Sequence, residues 1–463
     1  MDKTIVKINK VNVKNIKNVK NGEILSPFYN LNNLEQESEI IGIYGQNGSG
    51  KTALVNSLNI LKCIMGNLKD NESFKDEVFH LINKESNFSW FSYEFSLRKD
   101  DELYEAFYEF KIEKDVDDIR IFDEKLSFRG LSPNKINKLT IIETTKDLDS
   151  IFLPKTRLEN LISKKKNYRT DLIVSRKMAE KENESFIFRK DSIDVFIKGF
   201  DNKNFSFIIE ELHNFARMNL FVILNDHHSL IHVNMLLPLS FRYQSDEKTL
   251  AAGDFPIRFG KNNFEKKEFD LFKGIINQMS KLIHAIIPDM FLELKQYGEV
   301  ILENGNTGYS VELMSKRNGI LIPIKYESDG IKKIISILSS LIAMYNNETI
   351  CVAVDELDAG IFEYLLGEIL KVIKDTGKGQ LIFTSHNLRP LEVLNKESIY
   401  FTTTNPENRY INFSNIKSNN NLRDVYLRTI DLGGQKECVY KETNEFDIGR
   451  AFRMAGKLYE KQS

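Results

Sequence analysis

The sequence predicts an α/β fold interrupted by a mainly helical insertion, and three observations predict it. Apolar runs at Ile40 to Tyr44, Ile350 to Val354 and Leu381 to Phe383 have the length and β-branched content of buried strands. Directly after the first, Ala53, Leu54, Leu58, Leu61 and Ile64 recur at helical spacing. From Leu153 to about Ile287 the composition turns to Lys, Arg, Glu and Asn in helical segments, so a lobe of different character separates the two ends of the fold.

In chain order, Met1 to Lys20 alternates Ile and Val with Lys and Asn, the pattern of a strand and not of a secretory leader. The run Ile40 to Tyr44 ends in Gly45-Gln46-Asn47-Gly48-Ser49-Gly50-Lys51-Thr52, which is G-x-x-x-x-G-K-T without deviation. Glycines let successive amides converge on phosphates, Lys51 reaches the β and γ oxygens, and the Thr52 hydroxyl completes a Mg2+ shell. The helix that follows adds its amino-terminal dipole. Phe91 to Leu97 and Tyr104 to Ile112 read as antiparallel strands with alternating aromatics. Pro288 closes the helical lobe; Phe291 to Lys295, Glu299 to Leu302, Tyr309 to Leu313 and Gly319 to Ile324 then read as strands returning to the first unit. The predicted organisation is therefore residues 1–152, an insertion over 153–287, and 288–463.

The third part carries the remaining chemistry. Ser328-Asp329-Gly330 opens a helix whose Ile334, Ile335, Leu338, Leu341 and Ile342 share a face. Alone, that opening reads as an N-cap; it also presents a hydroxyl, free amides and a positive dipole end. The run Ile350 to Val354 ends in Asp355-Glu356, one carboxylate suited to Mg2+ and one to polarising an attacking water. By itself the pair reads equally well as an acidic strand end capping the next helix. Leu381-Ile382-Phe383-Thr384-Ser385 ends on His386, and a lone histidine there is usually structural. Phe401 to Pro406 followed by Arg409 to Ile411 reads as a last strand pair and turn, and Ile448 to Leu458 as a short amphipathic helix.

Composition excludes several classes. No apolar run approaches the roughly 20 residues of a membrane span, so no membrane partner is expected. Cys63, Cys351 and Cys438 lack the paired spacing of a zinc site or disulfide framework, and a cytoplasmic setting is expected. A formal charge of -2 gives nucleic acid no global attraction. The local run Lys164-Lys165-Lys166, Arg169, Arg176-Lys177 and Arg189-Lys190 is diluted by Glu180, Glu182 and Glu184 and reads first as a solvated helical face. Asp226-His227-His228 with His232 reads as a loop or helix cap before a metal site.

Phosphate loop, Ser-Asp-Gly helix start, Asp-Glu strand end, Asp358 in Asp355-Glu356-Leu357-Asp358-Ala359-Gly360 and strand-end His386, in this order, resemble the ABC-class ATPase head. That class is shared by transporters, SMC proteins and OLD-type defence ATPases. The resemblance implies a mixed sheet with flanking helices beside an antiparallel sheet, with ATP and Mg2+ bound. It implies that Ser328 and Gly330 reach the γ-phosphate of a second copy, that Asp358 lies in the D-loop, and that His386 is the switch histidine. Catalysis would then rest on Glu356, His386 and Lys51, nucleotide binding on Gln46 to Thr52 with Ser328, Gly330 and Asp358, and metal binding on Thr52 and Asp355.

The pattern also departs from that class. No Gln occurs between Gln46 and Gln244, so the Q-loop position is absent or substituted, with Glu94 as candidate. Glu-Ser-Asp-Gly replaces Leu-Ser-Gly-Gly-Gln, which speaks against a transporter, and no heptad arm separates the halves as in SMC proteins. The stretch after His386 is short for the TOPRIM nuclease that some OLD-type members carry. The chain thus resembles the stand-alone OLD-like ATPases of bacterial antiviral systems, such as the AriA and PtuA components. That resemblance implies self-association as a dimer or higher homo-oligomer and a separately encoded effector, often a nuclease. Two alternatives stand beside it: a DNA-repair or chromosome-maintenance ATPase binding DNA through Lys164 to Lys190, and a nucleotide-binding scaffold with negligible turnover.

Overall fold

The structure, a computed structural model, describes residues 4–26, 38–68, 71–115, 118–133, 135–146, 150–244, 250–413, 421–432 and 436–460. Two six-stranded sheets form its centre. The first runs in the order Tyr410–Asn412, Ile399–Thr402, Glu39–Tyr44, Gln380–Thr384, Cys351–Val354, Leu220–Ile223. Its pairings are parallel except the antiparallel outermost pair, Ile399–Thr402 with Tyr410–Asn412. The second is antiparallel throughout, in the order Val19–Leu25, Thr4–Ile16, Phe88–Lys99, Glu102–Asp115, Asp118–Ser132, Ile136–Glu143. The mixed sheet and companion antiparallel sheet expected of an ABC-type head are both present.

Strand periodicity explains how the layers assemble. Along Glu39–Tyr44, Ile41 and Ile43 join the core between the two sheets, while Ile40 and Tyr44 join the core on the opposite face. Helix Lys51–Gly66 fills the space between the sheets with Ala53, Leu54, Leu58 and Leu61 buried, and Tyr93 Oη donates to Ser57 O at 2.7 Å. A buried polar cluster fixes the sheets relative to each other. Lys7 Nζ lies 3.0 Å from Glu39 Oε1, with the side chains 1% and 4% exposed. Gln380 receives the Ile8 N–H at 2.8 Å and donates to Ile8 O at 2.9 Å and to Glu39 Oε2 at 2.8 Å. Every charge and amide in that cluster has a partner, the condition under which burial of polar groups adds rigidity.

Helices occupy Lys155–Ser163, Tyr168–Glu182, Lys190–Gly199, Lys203–Met218 and Lys266–Ile286, as the helical reading of the insertion requires. Between Met218 and Lys266, apart from the short helix Asp226–His232, that reading is corrected. Leu220–Ile223 is a strand of the phosphate-loop sheet, paired in parallel with Cys351–Val354. Its four apolar residues continue the helical periodicity of Phe205, Ile208, Ile209, Leu212 and Phe215, so pattern alone does not separate them. Leu236–Gln244 and Leu250–Arg258 form an antiparallel pair. A second correction concerns the strands after Pro288. Met290–Ile301 is one strand, continuous across a register shift at Gln296/Gly298. With Lys261–Glu265, Thr307–Arg317 and Ile320–Pro323 it builds a separate four-stranded sheet instead of extending either central one. The amphipathic helix near the carboxy end spans Glu445–Glu460. Among the described residues no helix is long and apolar enough to cross a membrane.

Candidate nucleotide site

The phosphate loop leaves the sheet at Tyr44 and enters its helix at Lys51. Gly48 and Gly50 take φ of 71° and 101°, a region closed to most side chains, and the loop turns because they are glycine. The helix starts without a side-chain cap or an acidic residue in its first turn, leaving its amino end free to face an anion. The loop is braced from the sheet edge. Thr402 Oγ1 stands 2.6 Å from Ser49 Oγ, and Tyr410 Oη donates to Gly50 O at 2.8 Å. Asn18 Nδ2 donates to Gly48 O, and the Arg409 guanidinium to Asn18 O. Gln46 Oε1 receives the Lys441 N–H at 2.9 Å, while Asn47 is exposed.

Lys51 is 6% exposed and folds back on its own loop, donating to Gly45 O at 2.9 Å and Gln46 O at 3.1 Å. Burial lowers its pKa, against the opposing pull of Asp355, Glu356 and Asp358. Those carboxylates arrive from strand Cys351–Val354, which neighbours Gln380–Thr384, itself beside the phosphate-loop strand. Thr52 Oγ1 thereby lies 3.4 Å from Asp355 Oδ1 across 303 residues of sequence. Asp355 is 1% exposed, and its Oδ2 is buried without a hydrogen-bond partner. A buried carboxylate oxygen left open beside a threonine hydroxyl is the donor set a hard divalent cation requires. The residues present therefore fit Mg2+.

Thr384 and Lys333 complete the acidic corner, and no local sequence signature singles out either. Thr384 Oγ1 donates to Asp355 Oδ1 at 2.6 Å and accepts the Glu356 N–H at 2.7 Å. Glu356 has φ of 50°, an unusual state for a non-glycine residue, and its carbonyl accepts from Lys333 Nζ. Lys333 lies on helix Asp329–Asn346 and is 1% exposed; burial pushes its pKa down to about 8 despite Asp358, Glu356 and Asp355 nearby. Asp358 Oδ2 accepts the backbone N–H groups of His386 at 3.1 Å and Asn387 at 2.9 Å. The His386 side chain reaches solvent, but desolvation by the surrounding protein, followed by the Lys51 charge, holds its pKa below 6.5.

Ser328 is exposed at its helix start, its Oγ accepting the Ile331 N–H at 3.4 Å. Gly330 is buried against Gly360, close enough that a Cβ at 330 would stand 1.8 Å from Gly360 O. Asp329 contacts Lys332 Nζ and His232 Nδ1, both at 2.7 Å. One chain thus brings together Lys51, Thr52, Asp355, Glu356, Asp358 and His386, and presents Ser328 outward.

Other sequence candidates fall away from this site. Glu94 sits mid-strand opposite Lys10 and Phe107, and the charges acting on it are Lys10, Glu105, Lys138 and Arg129. The Q-loop assignment to Glu94 is therefore dropped. In the basic run, Arg189 pairs with Glu182, Glu184 and Asp191. Arg176 pairs with Glu180 and caps the carbonyls of Thr145 and Ser150. Lys164 pairs with Asp201. The side chains of His227 and His228 lie outside the described residues, and no cluster of three or more His, Cys, Asp or Glu side chains able to hold a metal occurs among those described.

Residues 40–392 match the family model described as "AAA domain, putative AbiEii toxin, Type IV TA system". No curated protein matches the chain. Among solved structures, an Smc head domain with an extended coiled coil from Pyrococcus furiosus, bound to the C-terminal domain of ScpA, aligns at 13% identity and a TM-score of 0.41. That alignment covers 89% of this chain and 97% of that one. The SMC head domain from Thermotoga maritima aligns at 11% identity and a TM-score of 0.35, covering 88% and 99%.

Proposed function

The chain belongs to this AAA-domain family, and on that premise we propose that it hydrolyses ATP between two copies of itself and so controls a separate effector, a nuclease by preference, in defence against phage. The observation that carries the reading is the division of the site. Lys51, Thr52, Asp355 and Glu356 converge within one chain, while Ser328 faces solvent at the positive dipole end of its helix.

In the proposed reaction the loop amides and Lys51 hold the phosphates. Thr52 and Asp355 would hold Mg2+, which neutralises phosphate charge when bound. Glu356 orients a water and accepts its proton. In this reading His386 contacts the γ-phosphate, with Asp358 fixing the backbone of its loop. Ser328 and Gly330 of the second copy close the site, so occupancy by ATP is read as pairing or higher assembly. A sensor of this kind holds its effector in one assembly state and releases it in another.

Direct DNA binding through Lys164 to Lys190 is the weaker reading, because Lys164, Arg176 and Arg189 are engaged by carboxylates or carbonyls of the chain itself. The test is Glu356→Gln with ATP and Mg2+, followed by light scattering and phosphate release. A stable nucleotide-bound pair or larger assembly without turnover is expected. A monomer at saturating ATP removes the sandwich, and turnover unchanged from the native protein removes Glu356 as the base.

A further inference from the structure

Among the described residues, two apolar surfaces lie open. Helix Glu445–Glu460 places Ile448, Ala451, Phe452 and Ala455 on one face at i, i+3, i+4 and i+7, and all four are exposed, Phe452 at 76%. A groove of about 1000 Å3 lies between helices Lys266–Ile286, Asp329–Asn346 and Glu363–Thr376, with Leu282, Ile342 and Ile369 on its walls. An unpartnered apolar helix face and an open apolar groove are each candidate interaction surfaces.

The path of the chain says where the helix is delivered. Before it, Cys438 O accepts the Thr404 N–H at 2.7 Å and Lys441 N–H donates to Gln46 Oε1 at 2.9 Å. This strap pins the root of the helix to the edge of the phosphate loop. The groove runs along Ile334 to Asn346, on the same helix that Ser328 caps. When two copies sandwich ATP, the phosphate loop of one faces Ser328 of the other. The strap of one copy then delivers its helix to the groove-bearing helix of its partner. The lengths are comparable: sixteen residues span about 24 Å, and the stretch Ile334 to Asn346 of the receiving helix, whose groove-facing side lines the groove, about 20 Å.

We propose that helix Glu445–Glu460 of one copy docks into the groove between Lys266–Ile286, Asp329–Asn346 and Glu363–Thr376 of a second copy when ATP joins the two. The inference rests on the sandwich reading above. It adds a latch distant from the phosphates, one that couples assembly to a strap touching Gln46.

The test uses the full chain carrying Glu356→Gln, with ATP and Mg2+, in analytical ultracentrifugation. Adding Ile448→Asp and Phe452→Asp is expected to weaken pairing at least tenfold, while a fluorescent ATP analogue binds the single chain with unchanged affinity. Pairing undiminished by these changes overturns the latch and leaves the sandwich standing. If Glu356→Gln alone never pairs, the sandwich falls and the latch with it. A second measurement places cysteines at Phe452 and Leu282 in a Cys438→Ser background and mixes two differently tagged copies. Cross-links between tags that require ATP are expected. Cross-links confined within one chain, or equally strong without ATP, overturn the proposal.

Discussion

Gly330 and Gly360 meet backbone to backbone: a Cβ on Gly330 would stand 1.8 Å from the Gly360 carbonyl oxygen. The start of the helix that Ser328 caps is therefore seated directly on the loop carrying Asp358, within a single chain. Two glycines make the seat possible, one because nothing larger fits and the other because it holds φ of 74°.

Gly330→Ala is expected to lose about 1–3 kcal/mol of stability, the usual cost of overpacking a filled contact, because backbone and not a flexible side chain must yield. Thermal unfolding checks this. ATP-dependent pairing should fall further than stability alone accounts for, since Ser328 is displaced with its helix.

Thr384→Val removes the hydroxyl that joins Asp355 Oδ1 to the Glu356 N–H. The amide left without a partner costs about 1–3 kcal/mol, and loss of support behind a metal-binding carboxylate typically costs about 10–100-fold in metal affinity or activity. A Mg2+ titration of ATP hydrolysis should show the midpoint moved upward, with Thr384→Ser close to the native value.

Lys333 links stability to alkaline pH. Its folded pKa of about 8 lies below the ordinary 10.5, so between those values the unfolded chain binds the extra proton. Stability gains on the order of 3 kcal/mol as pH rises through that window, and the full cost of the buried charge is present below pH 8. Lys333→Met should be the more stable protein near pH 7 in urea denaturation, and the advantage should vanish by pH 10.5. The same variant should hydrolyse ATP more slowly, because the Glu356 carbonyl loses its ammonium partner.

Desolvation, followed by the Lys51 charge, holds the His386 pKa below the ordinary 6.5. NMR titration of its ring should give a midpoint below 6.5, and any acid loss of hydrolysis caused by its protonation should begin below that pH. The sign for stability is the same as for Lys333: as pH falls below 6.5 the unfolded chain takes up the proton first, and the fold weakens. His386→Asn should remove that portion of the acid sensitivity.

The motifs that were legible in the sequence are contiguous. Gly45 to Thr52 and Asp355-Glu356 each hold their chemistry in adjacent residues, and the fold brings Thr52 and Asp355 to 3.4 Å as that chemistry demands. Thr384, Thr402 and Lys333 were not legible, because each acts on a residue of another strand or helix and has no local signature. Glu94 illustrates the converse: position along the chain suggested it, and its strand carries it to other charges. Leu220–Ile223 was hidden by the helix before it, whose apolar rhythm it continues.

The strand that carries the phosphate loop is among the first made and among the last finished. Its neighbours in the sheet are Gln380–Thr384 and Ile399–Thr402, and the bonded pair Glu39 and Gln380 lies 341 residues apart. At roughly 5–20 residues per second, a ribosome takes roughly 17–70 s to cover that distance. Throughout that interval Ile40, Ile41 and Ile43 have neither flanking strand, while the antiparallel sheet, built from Thr4 to Glu143, can already close. Synthesis of this chain therefore passes through a long-lived nascent state with an unpaired apolar strand, one that a holding chaperone would recognise. Slowing of translation between Glu143 and Gln380 should lower the yield of folded protein more than slowing elsewhere.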